Sequence, residues 1–302
     1  MTNNHSKSVD PPCAFVTPDR HTFSTTRTNG PERLPETIRD LDDPRLSPYR
    51  NLRHRETDDG FIAEGSLVVE RLLQSDLGVQ SVLIHTGRES KYLPLIPGSV
   101  PVYLIDRELG KELAGYDFHR GVLAHGSSPT IEPLEKFRDS ARSSLALALV
   151  GLSDPENVGS LLRSAAALGV RDILLGPQTI SPMTRRVIRV SMASVFRHRF
   201  YRFDKPAEQL RDLSNAGIAS IATLLDDTAI PLIDLPKTIQ SDRRVLMVGN
   251  EANGLPPEIA EAATHRSTLP MRNNTDSLNV GVASAIFLYE LTRLQDADHA
   301  ND

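Results

Sequence analysis

Short apolar runs separated by helical patterns dominate the second half of the chain. Six of these runs have the length of buried strands: LALALVGL (145–152), DILLG (172–176), SVFRHRFYRF (194–203), IASIATLL (218–225), RVLMVG (244–249) and STLPM (267–271). Strand alternating with helix indicates a mostly parallel sheet covered by helices on both faces. The pattern predicts an α/β domain over residues 143–296, in which ligands bind beyond the carboxyl ends of the strands.

The first half is predicted to hold a smaller α/β domain over residues 36–125. FIAEGSLVVERLLQ has apolar residues at helical spacing, whereas SVLIHTG and VPVYLID are typical of short strands. Residues 126–142 are predicted to be a linker, because AHGSSPTIEP is rich in turn-forming residues. Residues 1–35, rich in Ser, Thr, Asn and Pro, are predicted to be a disordered tail, and residues 297–302 form a second tail.

Composition narrows the class of protein. Of the 302 residues, 39% are hydrophobic and 24% charged, as in ordinary globular proteins, and no apolar run approaches the ~20 residues that cross a bilayer. The N-terminus has no secretory pattern, so a cytoplasmic location with no membrane contact is expected. Cys13 is the only cysteine, which excludes an internal disulfide and a zinc site built on several thiolates.

The chain has a net charge of -5, but one stretch of it is strongly basic. Between residues 185 and 202 there are six arginines and one histidine, with no acidic residue. We predict that this stretch contacts nucleic-acid phosphates, although a solvated helix face without a ligand remains the alternative. The candidate residues for these contacts are Arg185, Arg186, Arg189, Arg197 and Arg199.

A polar segment follows the first of the six strands. In SDPENVGSLLRSAAALG, Asp154 and Pro155 are typical of a helix N-cap and first turn. Capping explains neither Asn157, a poor helix former, nor Gly159, which costs on the order of 1 kcal/mol relative to alanine. The missing side chain at Gly159 predicts room for a ligand beside Arg163, and the alternative is a solvated arginine.

Two further polar segments follow the fifth and sixth strands. In VLMVGNEANGL, Glu251 lies in a turn that Gly254 closes, which suits either close approach to a nucleotide or a plain strand-to-helix turn. In STLPMRNNTDSLNVGVASA, Pro270 ends the strand, and Asp276 or Ser277 is predicted to cap a helix that begins with small residues. The alternative is a capped core helix with no ligand.

Together and in this order, these segments resemble the three sequence motifs of the SpoU (TrmH-like) family of RNA ribose methyltransferases, within the knotted SPOUT class. DPENVGSLLRSA resembles the first motif, MVGNEANGL the second and LPMRNNTDSLNVGVASA the third, over residues 145–294. RRVIRVSMASVF resembles the intermediate segment of the family, including Arg189 and Ser191. The resemblance implies a trefoil knot in the C-terminal sheet, and the N-terminal domain looks like the RNA-binding domain of ribosomal-RNA members.

The resemblance also implies the chemistry. It predicts methyl transfer from S-adenosylmethionine to a ribose 2'-hydroxyl, of ribosomal RNA in preference to transfer RNA, by a homodimer. A base-methylating knotted enzyme and an inactive RNA-binding homologue are the alternatives. The implied catalytic positions are Asn157, Arg163, Glu251, Ser277 and Asn279. The implied cofactor-binding positions are Gly249, Leu269, Met271, Ser277 and Leu278, and no metal is expected.

Two alanines depart from the family pattern. Ala193 follows Ser-Met where glycine is common, and Ala252 stands where Asn-Glu-Gly is common. If the backbone has positive φ at these positions, alanine is strained there. Neither departure removes a side chain with a chemical role.

Overall fold

The computed structural model describes residues 34–52, 60–140, 144–273 and 275–299, with side chains as far as Arg293. Most of both predicted tails, residues 1–33 and 300–302, lies outside the described residues. None of the described helices is long and apolar enough to span a membrane.

The N-terminal domain is a five-stranded mixed sheet with strand order β1-β4-β3-β5-β2. Its elements are β1 (Glu36–Thr37), a 3₁₀ helix (Pro44–Tyr49), β2 (Phe61–Glu64), α1 (Ser66–Leu73), β3 (Val79–His85), α2 (Glu89–Tyr92), β4 (Val102–Ile105), α3 (Arg107–Ala114) and β5 (Val122–Gly126). The segment FIAEGSLVVERLLQ, which has helical spacing, is divided in two. Gly65, at φ 88°, ends β2 and begins α1, so only the second part is helical.

The segment predicted to be a linker carries regular structure. It contains β6 (Ile131–Glu132), which pairs with the edge of the C-terminal sheet, and α4 (Leu134–Arg138). Leu134 and Phe137 of α4 are buried against that sheet. Turn-forming residues upstream mark where the chain leaves the first domain, but the apolar pair Leu134 and Phe137 fixes the rest of the segment.

The C-terminal domain is an eight-stranded sheet in which all pairings are parallel, with strand order β11-β13-β10-β12-β7-β8-β9-β6. Its remaining elements are β7 (Leu145–Leu149), α5 (Pro155–Ala167), β8 (Asp172–Leu175), α6 (Arg185–Val190), β9 (Arg199–Arg202), α7 (Pro206–Asn215), β10 (Ala219–Thr223), β11 (Ile230–Pro231), β12 (Arg244–Val248), α8 (Pro257–Ala262), β13 (His265–Thr268) and α9 (Val280–His299). The predicted strands are confirmed, with two exceptions: SVFRHRFYRF begins with a 3₁₀ helix over Ser194–Arg197, and only the first two residues of STLPM lie in a strand, because β13 ends at Thr268. Helix α9 extends to His299, past the predicted domain end at residue 296.

Alternate residues of the central strand β7 face two different cores. Leu145, Leu147 and Leu149 pack with α5, α6 and α9, whereas Ala146 and Ala148 pack with α4, α7 and α8. Each buried leucine contributes roughly 1.5–3 kcal/mol, which makes this central strand a fixed base for the loops that follow it and its neighbours. The first core continues into the N-terminal domain, so the two sheets share one apolar cluster.

Candidate active site

Three adjacent strands end at the same edge of the C-terminal sheet. β10 lies between β12 and β13, and the loops that follow these strands begin at Leu224, Gly249 and Leu269. Thr223 Oγ1 donates to the Met247 carbonyl at 2.9 Å, and the Leu224 amide donates to the Ser267 carbonyl at 2.9 Å. Neighbouring strands are therefore tied together where the loops leave the sheet, and the loops converge at one place.

A chain of hydrogen bonds joins the three sequence motifs. Asn157 Nδ2 donates to Glu251 Oε1 at 3.1 Å, and Asn279 Nδ2 donates to Asn157 Oδ1 at 2.8 Å. Both ends of the Asn157 amide are used, which explains why an asparagine occupies the first turn of α5 at a cost in helix propensity. The structure thus brings together three of the five predicted catalytic side chains, from residues that are far apart in sequence.

Asn250 shapes the turn that holds Glu251, and sequence reasoning did not single it out. Its Oδ1 accepts from the amides of Ala252 and Asn253 at 2.9 and 3.1 Å, while its Nδ2 donates to the Gly151 carbonyl at 2.8 Å. An asparagine that directly follows a strand and its terminal glycine is typical of such an Asx turn, so a signal for this role was present. Ala252 has no positive φ and carries no backbone strain.

Gly249 allows the backbone to fold back on itself. A Cβ atom at this position would collide with the backbone of Gly254 and Leu255, which lie across the turn. A side chain at position 249 would therefore open the turn and displace Glu251. The predicted importance of this glycine has a direct steric cause.

Helix α9 is capped by Asn279, not by Asp276 or Ser277 as predicted. Asn279 Oδ1 accepts from the Gly281 amide at 2.9 Å and its carbonyl accepts from the Ala283 amide. The cap lies later because Asn279 satisfies the helix N-terminus with Oδ1 and reaches Asn157 with Nδ2. Ser277 and Leu278 lie exposed in the segment before the helix.

The interpretation of Gly159 as free space beside Arg163 is wrong. Gly159 is buried, and a Cβ there would lie 2.6 Å from Cβ of Val190 on α6. The glycine serves the close packing of α6 on α5. Arg163 lies on the exposed side of α5, and its guanidinium makes no ion pair or hydrogen bond to another described residue. It stands six residues beyond Asn157, about 9 Å along the helix axis.

Some arginine side chains of the basic stretch 185–202 contact other residues of the protein, and others are exposed without such a contact. Arg185 contacts the N-terminal domain, Arg186 pairs with Glu156, and Arg199 Nε pairs with the fully buried Asp172 at 2.5 Å. Arg189, Arg197 and Arg202 are exposed. These three arginines are where the stretch presents unengaged positive charge to a ligand.

His198, which the sequence placed in the basic cluster, adds no charge to that surface. It is buried, with Nε2 2.9 Å from the Leu162 carbonyl, and burial lowers its pKa below the usual range. The turn just before it is strained, because Met192 and Ala193 have φ of 52° and 61°. The predicted strain at Ala193 is thus present in the structure.

The predicted cofactor residues line the edge where the loops converge. Leu269 and Met271 are partly buried, and their backbone polar groups make no hydrogen bond to another described residue. Free backbone groups beside apolar side chains match an adenine ring, which needs hydrogen bonds at its edge and apolar contact on its faces. Gly249 keeps the adjoining turn closed, because the backbone of Gly254 and Leu255 occupies the place of its missing side chain. These residues fit a nucleoside-containing cofactor.

A parallel sheet with a glycine-lined loop site at its carboxyl edge defines a class of α/β enzymes that bind nucleotide-like cofactors. The profile of the SpoU rRNA Methylase family matches residues 144–289, which include all three motifs. The chain belongs to this family. It is an RNA methyltransferase, and its cofactor is S-adenosylmethionine.

Relatives match over most of the chain. An uncharacterized tRNA/rRNA methyltransferase of Mycobacterium tuberculosis is 32% identical over 84% of this chain and 90% of its own length. A 23S rRNA (guanosine-2'-O-)-methyltransferase of Acinetobacter baylyi is 27% identical over 74% of this chain and 94% of its own. The AdoMet-bound rRNA methyltransferase of Sinorhizobium meliloti superimposes with a TM-score of 0.71 at 26% identity, over 86% of this chain and 98% of that chain.

Proposed function

We propose that this enzyme methylates a ribose 2'-hydroxyl, in ribosomal RNA in preference to transfer RNA. The observation that carries the proposal is the chain of hydrogen bonds Glu251–Asn157–Asn279, which ties the three family motifs into one site beside Gly249. A relative that matches three quarters of the chain is named for guanosine 2'-O-methylation of 23S rRNA, which supports this specificity.

The reaction is an in-line displacement that demands alignment of two reactants. S-adenosylmethionine supplies an activated methyl group: the ribose oxygen bonds to the methyl carbon, the carbon–sulfur bond breaks, and the hydroxyl proton leaves to solvent. Arg163 is the residue that stabilises the developing alkoxide or holds an RNA phosphate beside it. A guanidinium stays protonated, so it acts as a cation and a donor in this role.

The remaining residues position the reactants. Asn157 and Asn279 hold the loops in register and orient the ribose together with Ser277, while Glu251 anchors the amide of Asn157. Gly249, Leu269, Met271, Ser277 and Leu278 bind the cofactor. Residues 36–125 act as the RNA-binding domain, and Arg189 and Arg197 add phosphate contacts.

The enzyme acts as a homodimer, with the site completed across the two-fold axis. Three apolar side chains on one side of α9 are exposed in the single chain: Val282, Ile286 and Tyr289. Their spacing of four and three residues places them on one stripe, which matches a helix that buries this face against a second copy. Leu278 is also exposed, just before the helix begins. We also expect the family's trefoil knot in the C-terminal sheet, and a cytoplasmic location where the RNA substrates are found.

Comparison of RNA from cells with and without the gene tests this proposal. Ribose methylation is mapped across ribosomal and transfer RNA of both strains. We expect one ribose methyl group to be lost from ribosomal RNA and restored by the wild-type gene. Loss of a base methyl group, with all ribose methyl groups retained, would reject the ribose assignment.

A further inference from the structure

Arg185 contacts three separate elements of the N-terminal domain with one guanidinium. Nη2 donates to Glu64 Oε2 at 2.7 Å and to the Tyr116 hydroxyl at 2.6 Å, and Nη1 donates to the Leu52 carbonyl. The Tyr116 hydroxyl in turn donates to Glu64 Oε2 at 2.9 Å, and the guanidinium lies 5.0 Å from the centre of the Tyr116 ring. A planar cation with several fixed donors is suited to such a multiple contact.

This contact is largely withdrawn from solvent. The side chains of Arg185 and Glu64 are 25% and 28% exposed, so water screens the ion pair less than it screens a surface pair. By contrast, the neighbouring Arg186 and its partner Glu156 are 49% and 47% exposed. The two adjacent arginines therefore have different environments although both belong to the predicted RNA-binding stretch.

Two further contacts join the same parts of the two domains. The Phe61 ring of β2 stacks on Phe196 with 5.2 Å between centroids, and Arg71 of α1 donates to the Met192 carbonyl. Phe196 and Met192 follow α6, the helix that begins at Arg185. The N-terminal domain is thus attached to α6 and to the turn after it.

Helix α6 also packs directly on the helix that carries the proposed catalytic residues. Val190 of α6 fills the space at Gly159, two residues from Asn157 and four from Arg163. A displacement of α6 toward α5 meets backbone at Gly159, because no side chain separates the two helices there. A shift of the N-terminal domain would therefore move α5 as well, because only α6 lies between them and it packs directly on α5.

We propose that Arg185 is a positioning residue that fixes the RNA-binding domain on α6, and thereby sets where bound RNA lies relative to α5. This inference rests on the proposed function, because it assumes that the N-terminal domain holds RNA. It replaces the direct phosphate contact that the sequence predicts for Arg185.

The variant Glu64→Ala distinguishes phosphate binding by Arg185 from positioning by Arg185, because the two roles predict changes in RNA affinity of opposite direction. If Arg185 bound a phosphate, Glu64→Ala would remove a nearby negative charge and RNA would bind more tightly. If Arg185 positions the domain, Glu64→Ala and Arg185→Ala both break the same contact and both weaken productive RNA binding. The double variant should then resemble the single ones, because the two changes remove one shared interaction.

The test compares wild type, Glu64→Ala, Arg185→Ala and the double variant. Arg138→Ala is the matched control, because the side chain of Arg138 pairs with Asp139 and takes no part in the contact of Arg185 or in the predicted RNA-binding stretch. The substrate is ribosomal RNA isolated from cells that lack the gene. We expect KM for RNA to rise about tenfold in the three docking variants, the change that a loss of about 1.4 kcal/mol produces. The affinity for S-adenosylmethionine should stay unchanged, and the salt dependence of RNA binding should keep its wild-type slope.

Hydrogen–deuterium exchange provides a readout that does not depend on activity. We expect faster exchange in peptides that cover β2 and α6 in the docking variants, with wild-type exchange in Arg138→Ala. Tighter RNA binding by Glu64→Ala, or unchanged exchange in Arg185→Ala, would overturn the positioning role. A wild-type enzyme that transfers no methyl group to RNA would instead reject the proposed function, while the exchange result would still decide whether Arg185 fixes the domain.

Discussion

Arg197 and Arg199 stand two residues apart, yet the fold gives them different surroundings. Arg197 is exposed at the end of a 3₁₀ helix, whereas Arg199 begins β9 and pairs with the fully buried Asp172, which also accepts from the Tyr201 hydroxyl at 3.2 Å. The hydrogen bond to Asp172 raises the pKa of Arg199, so this cation is fixed in its charged form. The two arginines belong to one basic stretch in the sequence, because the sequence shows where charges stand but not which residues each arginine contacts in the fold.

We therefore expect the two alanine variants to change different properties of the protein, stability in one and RNA binding in the other. Arg199→Ala should lower the free energy of unfolding by about 2–3 kcal/mol, below the usual cost of breaking a buried pair, because Arg199 is a third exposed and Tyr201 still donates to Asp172. Arg197→Ala should leave stability unchanged and lower the log-log salt slope of RNA binding by up to about 0.9. Urea unfolding and salt titrations of both variants check this; equal stability of the two would contradict it.

The left-handed pair Met192 and Ala193 allows a second comparison. Glycine adopts this conformation without strain, while an L-residue pays roughly 1–2 kcal/mol, partly offset by the flexibility of glycine in the unfolded chain. Ala193 is only 2% exposed, so Ala193→Gly also loses a buried methyl group, worth about 0.8 kcal/mol, whereas Met192, 38% exposed, loses a larger and mostly buried side chain, worth roughly 1–2 kcal/mol. Ala193→Gly should therefore leave the free energy of unfolding nearly unchanged, and Met192→Gly should lower it by about 0.5–1 kcal/mol. A loss of about 1.5 kcal/mol at Ala193 in urea unfolding would show that no strain is relieved and that the argument is wrong.

At the scale of elements, the sequence predicted the sheet and the cap of α5 well, since Asp154 accepts from the Glu156 amide at the start of that helix, but it misplaced the cap of α9. Strands β7, β8, β10 and β12 lie inside the predicted runs, because a strand buried on both faces is apolar throughout. The cap of α9 and the role of Gly159 depend on residues from other segments, Asn157 and Val190, which local spacing does not show. The interpretation of Asn157 as more than a cap is supported for the same reason, since its partners are Glu251 and Asn279.

The exposed stripe on α9 makes a prediction about assembly. Val282 and Ile286 belong to this stripe, so Val282→Glu combined with Ile286→Glu should place two charges in the proposed dimer interface and yield a folded monomer. Leu95→Glu is the matched control, since Leu95 is also exposed but belongs to the N-terminal domain. Light scattering should show a dimer for wild type and for the control. A dimer that survives both α9 charges would mean that another surface is used.

At the scale of the whole molecule, the sequence predicted two α/β parts and the structure shows how they are joined. The shared apolar cluster and the contacts of Arg185 link elements more than 100 residues apart, and no local pattern carries such pairings. The parallel class of the C-terminal sheet followed from the alternation of strand and helix. The order of the strands in the sheet could not be predicted in this way, because the alternation of strand and helix does not show which strands are neighbours.

The most direct test of ribose methylation measures tritium transfer from labelled S-adenosylmethionine to total RNA of cells that lack the gene. Alkaline hydrolysis follows, and a 2'-O-methyl group blocks cleavage of the adjacent phosphodiester. We expect the label in dinucleotides, with kcat at least ~100-fold lower in Arg163→Ala, wild-type affinity for S-adenosylmethionine and full activity in the control Arg171→Ala. Label in mononucleotides, or undiminished transfer by Arg163→Ala, would contradict the proposed mechanism.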